Sequence, residues 1–375
     1  MTTEPSVSTP LERHVSEVIA AAGGWLPFDR YMALALYAPG LGYYANAGLK
    51  FGSMPEGGSD FVTAPEMSPL FGRALAAQLR QAGRALRAAA DTDDGRFEVW
   101  EFGAGSGALA AQVLAELGDE VRHYRIVELS AVLRERQRER LAPWSGRVLW
   151  HDTLPETFEG VVVGNEVLDA MPVQLLRWDG NAWFERGVVA AEGGFEWADR
   201  PTALRPPLAD GLVPGSVIEI HPQAEAFIRT LAQRLTRGAA FFIDYGFPEA
   251  EYYHPQRSAG TLVCHRAHRV ETGERAPLDE IGLKDITAHV NFSALALAGQ
   301  DAGLDVVGYT TQAHFLMNCG LLALLHGAGP RETAPAMKLL HEHEMGELFK
   351  VLGFARGLPG FEPLGFASGD RSHTL

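Results

Sequence analysis

Three alternating glycines, Gly103, Gly105 and Gly107, follow an acid, Glu101, at the end of the apolar run Phe97 to Phe102. Glycine has no Cβ and tolerates positive φ, so such a turn can press bare backbone against a ligand. A helical run, Ala108 to Leu117, begins at once, and a helix N-terminus offers free N–H groups to a negative or polar ligand group. These residues predict a small-molecule cofactor site. About twenty residues on, the apolar run Tyr124 to Glu128 ends in a second acid, where nucleotide-binding α/β folds place the carboxylate that accepts from the ribose hydroxyls. A later strand ends in Gly164-Asn165-Glu166-Val167-Leu168-Asp169. Ligands bind outside the carboxyl ends of strands in open α/β sheets, so Asn165 and Glu166 should face the reacting groups. Two carboxylates there suit a cationic acceptor. A guanidinium stays charged, and a carboxylate can orient it, localise its charge and take its proton. Asp169 also reads as a helix N-cap or first-turn acid.

Two cofactors fit the turn. Gly103-x-Gly105-x-x-Ala108 matches the dinucleotide fingerprint, whose pyrophosphate rests on a helix end. Acid-x-Gly-x-Gly-x-Gly resembles more closely the loop of the S-adenosylmethionine (SAM) methyltransferases. Glu101 favours the second: a carboxylate repels pyrophosphate, whereas SAM brings an ammonium and a sulfonium. Asp152, in His151-Asp152 after the third strand, can accept from the adenine amine or close an Asx-type turn. His151 reads as a bystander, and Asp244-Tyr245-Gly246 reaches the pocket rim. His265, His268 and His289 have no spacing that demands a metal, and none is expected. His341-Glu342-His343-Glu344 lacks the i,i+4 spacing of a helical zinc site and reads as an exposed helix face. Arg134 to Arg140 mixes Glu and Arg at pairing distances and reads as a solvated helix face.

The elements that must position these residues alternate. Strands are expected at Phe97–Phe102, Tyr124–Glu128, Arg147–Trp150, Gly160–Gly164 and Ala240–Asp244, with helices between them, the pattern of a parallel sheet in an α/β protein. Helices at Leu11–Ala22, Phe28–Tyr37 and Ser68–Ala90 form an N-terminal helical or cap region over residues 1–94. The first part of the core covers 95–177. Turn residues between short Trp-, Val- and Phe-rich runs predict a β insertion over 178–215. The second part of the core, 216–312, holds the helix Gln223–Leu235, a long polar segment from Pro248 to Val290 with little periodicity, the helix Ser293–Ala302 and the strand Asp305–Thr311. Residues 313–375 are expected to form two helices, Ala313–Leu325 and Thr333–Arg356, and a polar tail.

The chain has 375 residues and a formal net charge of −15. That charge opposes broad nucleic-acid binding, because phosphates would be repelled. A cationic or protein partner suits it better. Cys264 and Cys319 cannot build a disulfide framework and read as buried thiols. The N-terminus shows no secretory or transit pattern, and Phe315 to Leu325 is too short to span a bilayer. A cytoplasmic protein without membrane insertion is expected, and a homodimer is compatible with the sequence.

Further motifs stand in order along the chain: Gly42-Tyr43-Tyr44, Asp60-Phe61-Val62-Thr63-Ala64-Pro65-Glu66-Met67-Ser68, Ile126-Val127-Glu128-Leu129-Ser130, Asn165-Glu166-Val167-Leu168-Asp169-Ala170, Asp244-Tyr245-Gly246, Gly260-Thr261-Leu262 and Asp285-Ile286-Thr287-Ala288-His289-Val290. Together with the glycine turn they resemble the MidA-like family of SAM-dependent methyltransferases, over roughly Gly24 to Gln312. That family includes a mitochondrial complex I assembly factor with protein-arginine methyltransferase activity. The resemblance implies a Rossmann-like class I methyltransferase sheet, SAM as cofactor and a protein arginine as acceptor, on a complex I subunit in the mitochondrial member. It implies Glu101, Gly103, Gly105, Gly107, Glu128, Asp152 and Asn165 as the cofactor set. Glu166 with Asn165, Glu66 and Asp60 are the candidates for catalysis, with the base left between the carboxylates. Asn-Glu-Val-Leu replaces the Asn/Asp-Pro-Pro-aromatic motif of base-directed methyltransferases, and Glu166 with Asp169 is not the glutamate pair of the conventional arginine enzymes. A SAM-binding assembly factor with little turnover and an NAD-dependent oxidoreductase are the alternatives.

Overall fold

The computed structural model describes residues 9–46, 63–90, 95–266, 269–271 and 273–375. Its main sheet takes its inner strands from chain segments that are mostly apolar and buried, and its outer ones from mixed segments. The strands are β1 (Phe97–Phe102), β2 (Val121–Val127), β3 (Val148–His151), β4 (Phe158–Asn165), β5 (Leu235–Phe247), β6 (Asp305–Thr311) and β7 (Phe349–Arg356). Their order across the sheet is β6-β7-β5-β4-β1-β2-β3. Neighbours from β3 to β5 run parallel, whereas β7 lies antiparallel between β5 and β6. The chain starts at β1, moves outward to β3, then returns to β4 on the other side. A crevice must open where the winding reverses, at the carboxyl ends of β1 and β4. Glu101 and Asn165 stand there.

Alternate residues of the strands feed two cores. Val99, Val161, Val163, Phe241, Ile243 and Val351 meet the helices Pro69–Ala90, Ala108–Leu117 and Gln312–Asn318 on one face. Trp100, Val162, Phe242, Leu352 and Phe354 meet Pro222–Arg234 and Phe292–Asp301 on the other. A sheet covered on both faces matches strands that read as continuous apolar runs.

The structure departs from the expected elements in four places. Phe349–Arg356 is a central strand rather than the end of a helix, and the helix before it is Pro330–Lys338. Its residues are buried through Ala355, and a run buried on both faces carries no period to separate strand from helix. The expected helix Ala313–Leu325 is two helices, Gln312–Asn318 and Leu321–His326, divided at Gly320 with φ 89°. The tail is no mere polar extension: Phe366 packs against Phe241 and Phe315. The stretch from Pro248 to Val290 contains a small sheet of Val263–Arg266, Arg269–Glu271 and Asp285–Thr287, strands too short to show alternation.

The β insertion is wider than 178–215. Gln174–Trp178 pairs with both Trp183–Ala191 and Val217–Ile220, and Leu26–Pro27 from the N-terminal region joins the far edge. The helices Pro10–Ala21 and Phe28–Tyr37 pack on this second sheet through Leu11, Val15, Phe28 and Tyr31. Phe28–Tyr37 thereby reaches the mouth of the crevice. No described helix is long and apolar enough to cross a membrane.

Candidate active site

The crevice is a cavity of about 1460 Å³ that runs from the glycine turn to a wall of tyrosines and acids. At the turn, Gly103, Gly105 and Gly107 have φ of 61°, 53° and 81°. All three sit in the left-handed region that glycine tolerates. A Cβ on Gly103 would come within 2.7 Å of Val167 Cγ2, so this position also packs too closely for a side chain. Gly107 ends in the helix Ala108–Leu117, whose N-terminus carries no side-chain cap. Glu101 is 2% exposed and accepts from the Tyr124 hydroxyl at 2.8 Å. Burial pushes its pKa up to about 8 against the pull of that hydroxyl, and the charge of Glu128 adds to the rise.

Glu128, just beyond β2, is also buried. Its Oε1 accepts from the Ser130 N–H at 2.8 Å and its Oε2 from Gln137 Nε2 at 3.2 Å. Burial raises its pKa, while the two donors restrain the rise. Asp152 is not brought to the cavity: its side chain is 79% exposed and paired with Arg134. Gln137 was hidden in a helix face that reads as solvated, yet it is fully buried.

At the end of β4, Glu166 holds a left-handed φ of 53°, rare for a residue with a Cβ. Neighbours hold it there. Its N–H donates to Ile243 O at 2.9 Å, and its Oε1 accepts from Asn165 Nδ2 at 2.9 Å and from the Ala64 N–H at 3.4 Å. Burial pushes Glu166 up to about 8, and the carboxylate of Asp169 adds to the rise. Asn165 keeps one buried atom, Oδ1, without a partner. Asp244 supports this segment from beneath, since its Oδ2 accepts from the N–H groups of Val167, Leu168 and Asp169 at 3.1, 2.9 and 3.3 Å. Asp244 is thus a cap for the turn rather than a rim residue. Burial raises Asp169 to about 6, with the Tyr245 hydroxyl bond opposing.

The far wall comes from distant segments. Tyr37 and Tyr44 stack with ring centroids 5.6 Å apart, and the Tyr44 hydroxyl donates to Asp285 Oδ2 at 2.7 Å. The Tyr37 hydroxyl donates to Ala170 O at 2.8 Å, which ties the wall to the Glu166 segment. His289 packs its ring on Tyr245 and Phe247. Burial pushes its pKa down to about 4, with Arg257 and Lys350 adding. Glu101, Glu128, Glu166, Asp169 and Asp285 line the cavity, and none of its described lining residues is Lys or Arg. Glu66 does not line it: the carboxylate accepts from Ser106 and from Arg140, the latter at 2.6 Å, and so clips the helix Ala64–Met67 to the glycine turn. Asp60 and His268 lie outside the described residues. Among the described residues no cluster of His, Cys, Asp or Glu is placed to hold a metal. The residues from His341 to Glu344 are exposed, as expected, but in an irregular turn.

A family model of S-adenosyl-L-methionine-dependent methyltransferases matches residues 70–310. The chain belongs to this family. A crystal structure of a COG1565 superfamily member from Burkholderia thailandensis, bound to S-adenosyl-homocysteine, is 49% identical with a TM-score of 0.89, over 99% of this chain and 100% of that one. The relatives include proteins named protein arginine methyltransferase NDUFAF7, mitochondrial. The one from Danio rerio is 26% identical over 94% of this chain and 89% of its own length. The one from Mus musculus is 28% identical over 92% and 85%. The protein is a SAM-dependent methyltransferase with the class I sheet.

The methyltransferase's cavity fits that cofactor on its own chemistry. The glycine turn admits a ligand against bare backbone, Glu101 offers a carboxylate to a cationic end, and Asn165 Oδ1 is an orphaned acceptor. Glu128 has an oxygen on each side of its carboxylate with capacity beyond the Ser130 and Gln137 bonds, as two ribose hydroxyls require.

Proposed function

We propose that this methyltransferase acts on the guanidinium of an arginine side chain in a protein. The observation that carries the reading is the charge of the cavity wall: Glu166, Asp169 and Asp285 beside Tyr37, Tyr44 and Tyr245, with no described Lys or Arg among the lining residues. Such a wall favours a cation, and aromatic faces add attraction for a guanidinium. The names of the relatives from Danio rerio and Mus musculus support the same acceptor.

SAM, when bound, supplies an electrophilic methyl group. The residues at the strand ends do the rest. Glu101, the glycine turn, Glu128 and Asn165 hold the donor. Glu166 and Asp169 orient the guanidinium, draw its positive charge toward them and leave lone-pair density on the nitrogen that faces the donor. Glu166 takes the proton that this nitrogen loses. A general base works best with a pKa near the operating pH. Glu166, at about 8, meets that condition, whereas burial leaves His289 at about 4.

The test is methyl transfer from labelled SAM into proteins of an extract from cells lacking this chain, followed by acid hydrolysis and amino-acid analysis. Label in methylarginine that disappears with E166Q supports the reading. Label in lysine, in a carboxyl ester or in a small molecule overturns it.

A further inference from the structure

The helix Ala131–Arg140 is charged along most of its length, yet Gln137 on it is fully buried. An amide taken out of water costs stability unless its polar atoms are bonded. Gln137 is bonded at both ends. Its Nε2 donates to Gly105 O at 2.9 Å and to Glu128 Oε2 at 3.2 Å, and its Oε1 accepts from Trp150 Nε1 at 2.9 Å. One side chain therefore joins the middle of the glycine turn, the carboxylate after β2 and the side chain of a β3 residue. These are three separate segments of the sheet, and no backbone hydrogen bond links the turn to Glu128 directly.

We propose that Gln137 is a positioning residue for donor binding: it fixes the Glu128 carboxylate against the Gly103–Gly107 turn, so that the ribose and the methionyl end are gripped at one separation. The proposal rests on the ribose being held by Glu128. Without the amide, Glu128 loses a donor on the oxygen that must also accept from a ribose hydroxyl, and Gly105 O and Trp150 Nε1 lose their partner. An apolar side chain of similar size would fill the space but leave all three unpaired. Glutamate would keep the acceptor for Trp150 while setting a second carboxylate against Glu128, and would regain a donor when protonated.

The experiment is calorimetric titration of the full chain with S-adenosylhomocysteine and with its 2′-deoxy analogue, for wild type, Q137L, Q137E and E128Q. Displacement of Glu128 should cost the bound ribose about one hydrogen bond to a charged group, and so weaken S-adenosylhomocysteine roughly tenfold or more in Q137L. The extra penalty for the 2′-deoxy analogue should shrink in Q137L, because the hydroxyl then meets a misplaced carboxylate. A merely structural role would leave that penalty unchanged. Q137E should bind weakly at pH 8 and recover as the pH falls to 6, a trend opposite to any general acid weakening; it also gives the reading should Q137L fail to fold. If Q137L or Q137E binds within twofold of wild type at pH 8, or if the 2′-deoxy penalty stays intact in Q137L, the proposal is overturned while the ribose site stands. If E128Q binds like wild type, the ribose placement itself is wrong and the proposal falls with it.

Discussion

Glu166→Gln changes one oxygen to nitrogen and removes the capacity to ionise. In the folded chain Glu166 is raised from 4.5 to about 8, chiefly by burial and then by Asp169. Each unit of displacement corresponds to about 1.4 kcal/mol, so full ionisation in the cavity would cost the fold at most roughly 4–5 kcal/mol. Water entering an open cavity offsets much of this, and we expect about 1–3 kcal/mol to be measured. The sign follows from the proton count. Between 4.5 and 8 the folded state holds a proton that the unfolded state has released, so stability falls as the pH rises and levels off above 8. The variant lacks this dependence. Urea unfolding of both proteins from pH 5 to 9 should therefore show E166Q gaining on wild type with pH. Activity should move the other way: kcat/KM of the wild type rises along a limb with an apparent pKa near 8, while E166Q falls by about 10²–10⁴ and loses the limb. A stability difference, E166Q minus wild type, that is constant or that falls toward pH 9 would refute the assignment of Glu166 as a buried acid held protonated at neutral pH.

Other outcomes follow from the same geometry. Glu101 is also raised to about 8, so donor binding at pH 7 should expel close to one proton, read as a slope of calorimetric heat against buffer ionisation enthalpy; E101Q should abolish the slope. Gly103→Ala places a Cβ 2.7 Å from Val167 Cγ2 at φ 61°, and should cost about 1–2 kcal/mol; adding Val167→Ala should recover the steric part, measured by a double-mutant cycle. Asp244→Ala strands three backbone N–H groups and should lower stability by about 1–3 kcal/mol, with the loss of activity exceeding any loss of donor affinity because the turn it caps carries Glu166 and Asp169.

The glycine-turn side of the cavity was legible because its acids and Asn165 stand at the ends of strands, although Asp152, read in the same way, does not line it. The switch from an apolar run to Glu101 and glycine, to Glu128, or to Asn165 and Glu166 is local, and a period of two residues or none marks where it happens. The tyrosine wall was not. Tyr37, Tyr44, Asp285 and His289 lie on three segments whose meeting depends on the N-terminal helices packing on the second sheet. Glu66 shows the converse failure. Its motif points to chemistry, but only the fold reveals that Ser106 and Arg140 claim its carboxylate. Gln137 left a signal that charge pattern obscured: Leu133, Gln137 and Leu141 recur every fourth residue, all three buried, so the amide lies in the apolar stripe of a helix whose other face is solvated.

Both sides of the cavity meet one electrostatic difficulty in the same way. A donor with a sulfonium and, on the proposed function, an acceptor with a guanidinium require anions, yet a cavity of ionised, unpaired carboxylates would be costly to bury. The site avoids that cost by holding protons. Glu101 and Glu166 are near 8 and Asp169 near 6, each chiefly through burial, so at neutral pH the first two are largely protonated in the resting cavity and Asp169 is largely ionised. A cation entering beside any of them favours the ionised form and releases the proton. The carboxylate that becomes ionised is then in contact with the charge it must stabilise, and Glu166, freed of its proton by the arriving guanidinium, is ready to take another from the nitrogen. A neutral amine or hydroxyl would release no such proton and would leave Glu166 unable to act as a base at pH 7. On the proposed function, discrimination by charge and activation of the base are one event in this cavity.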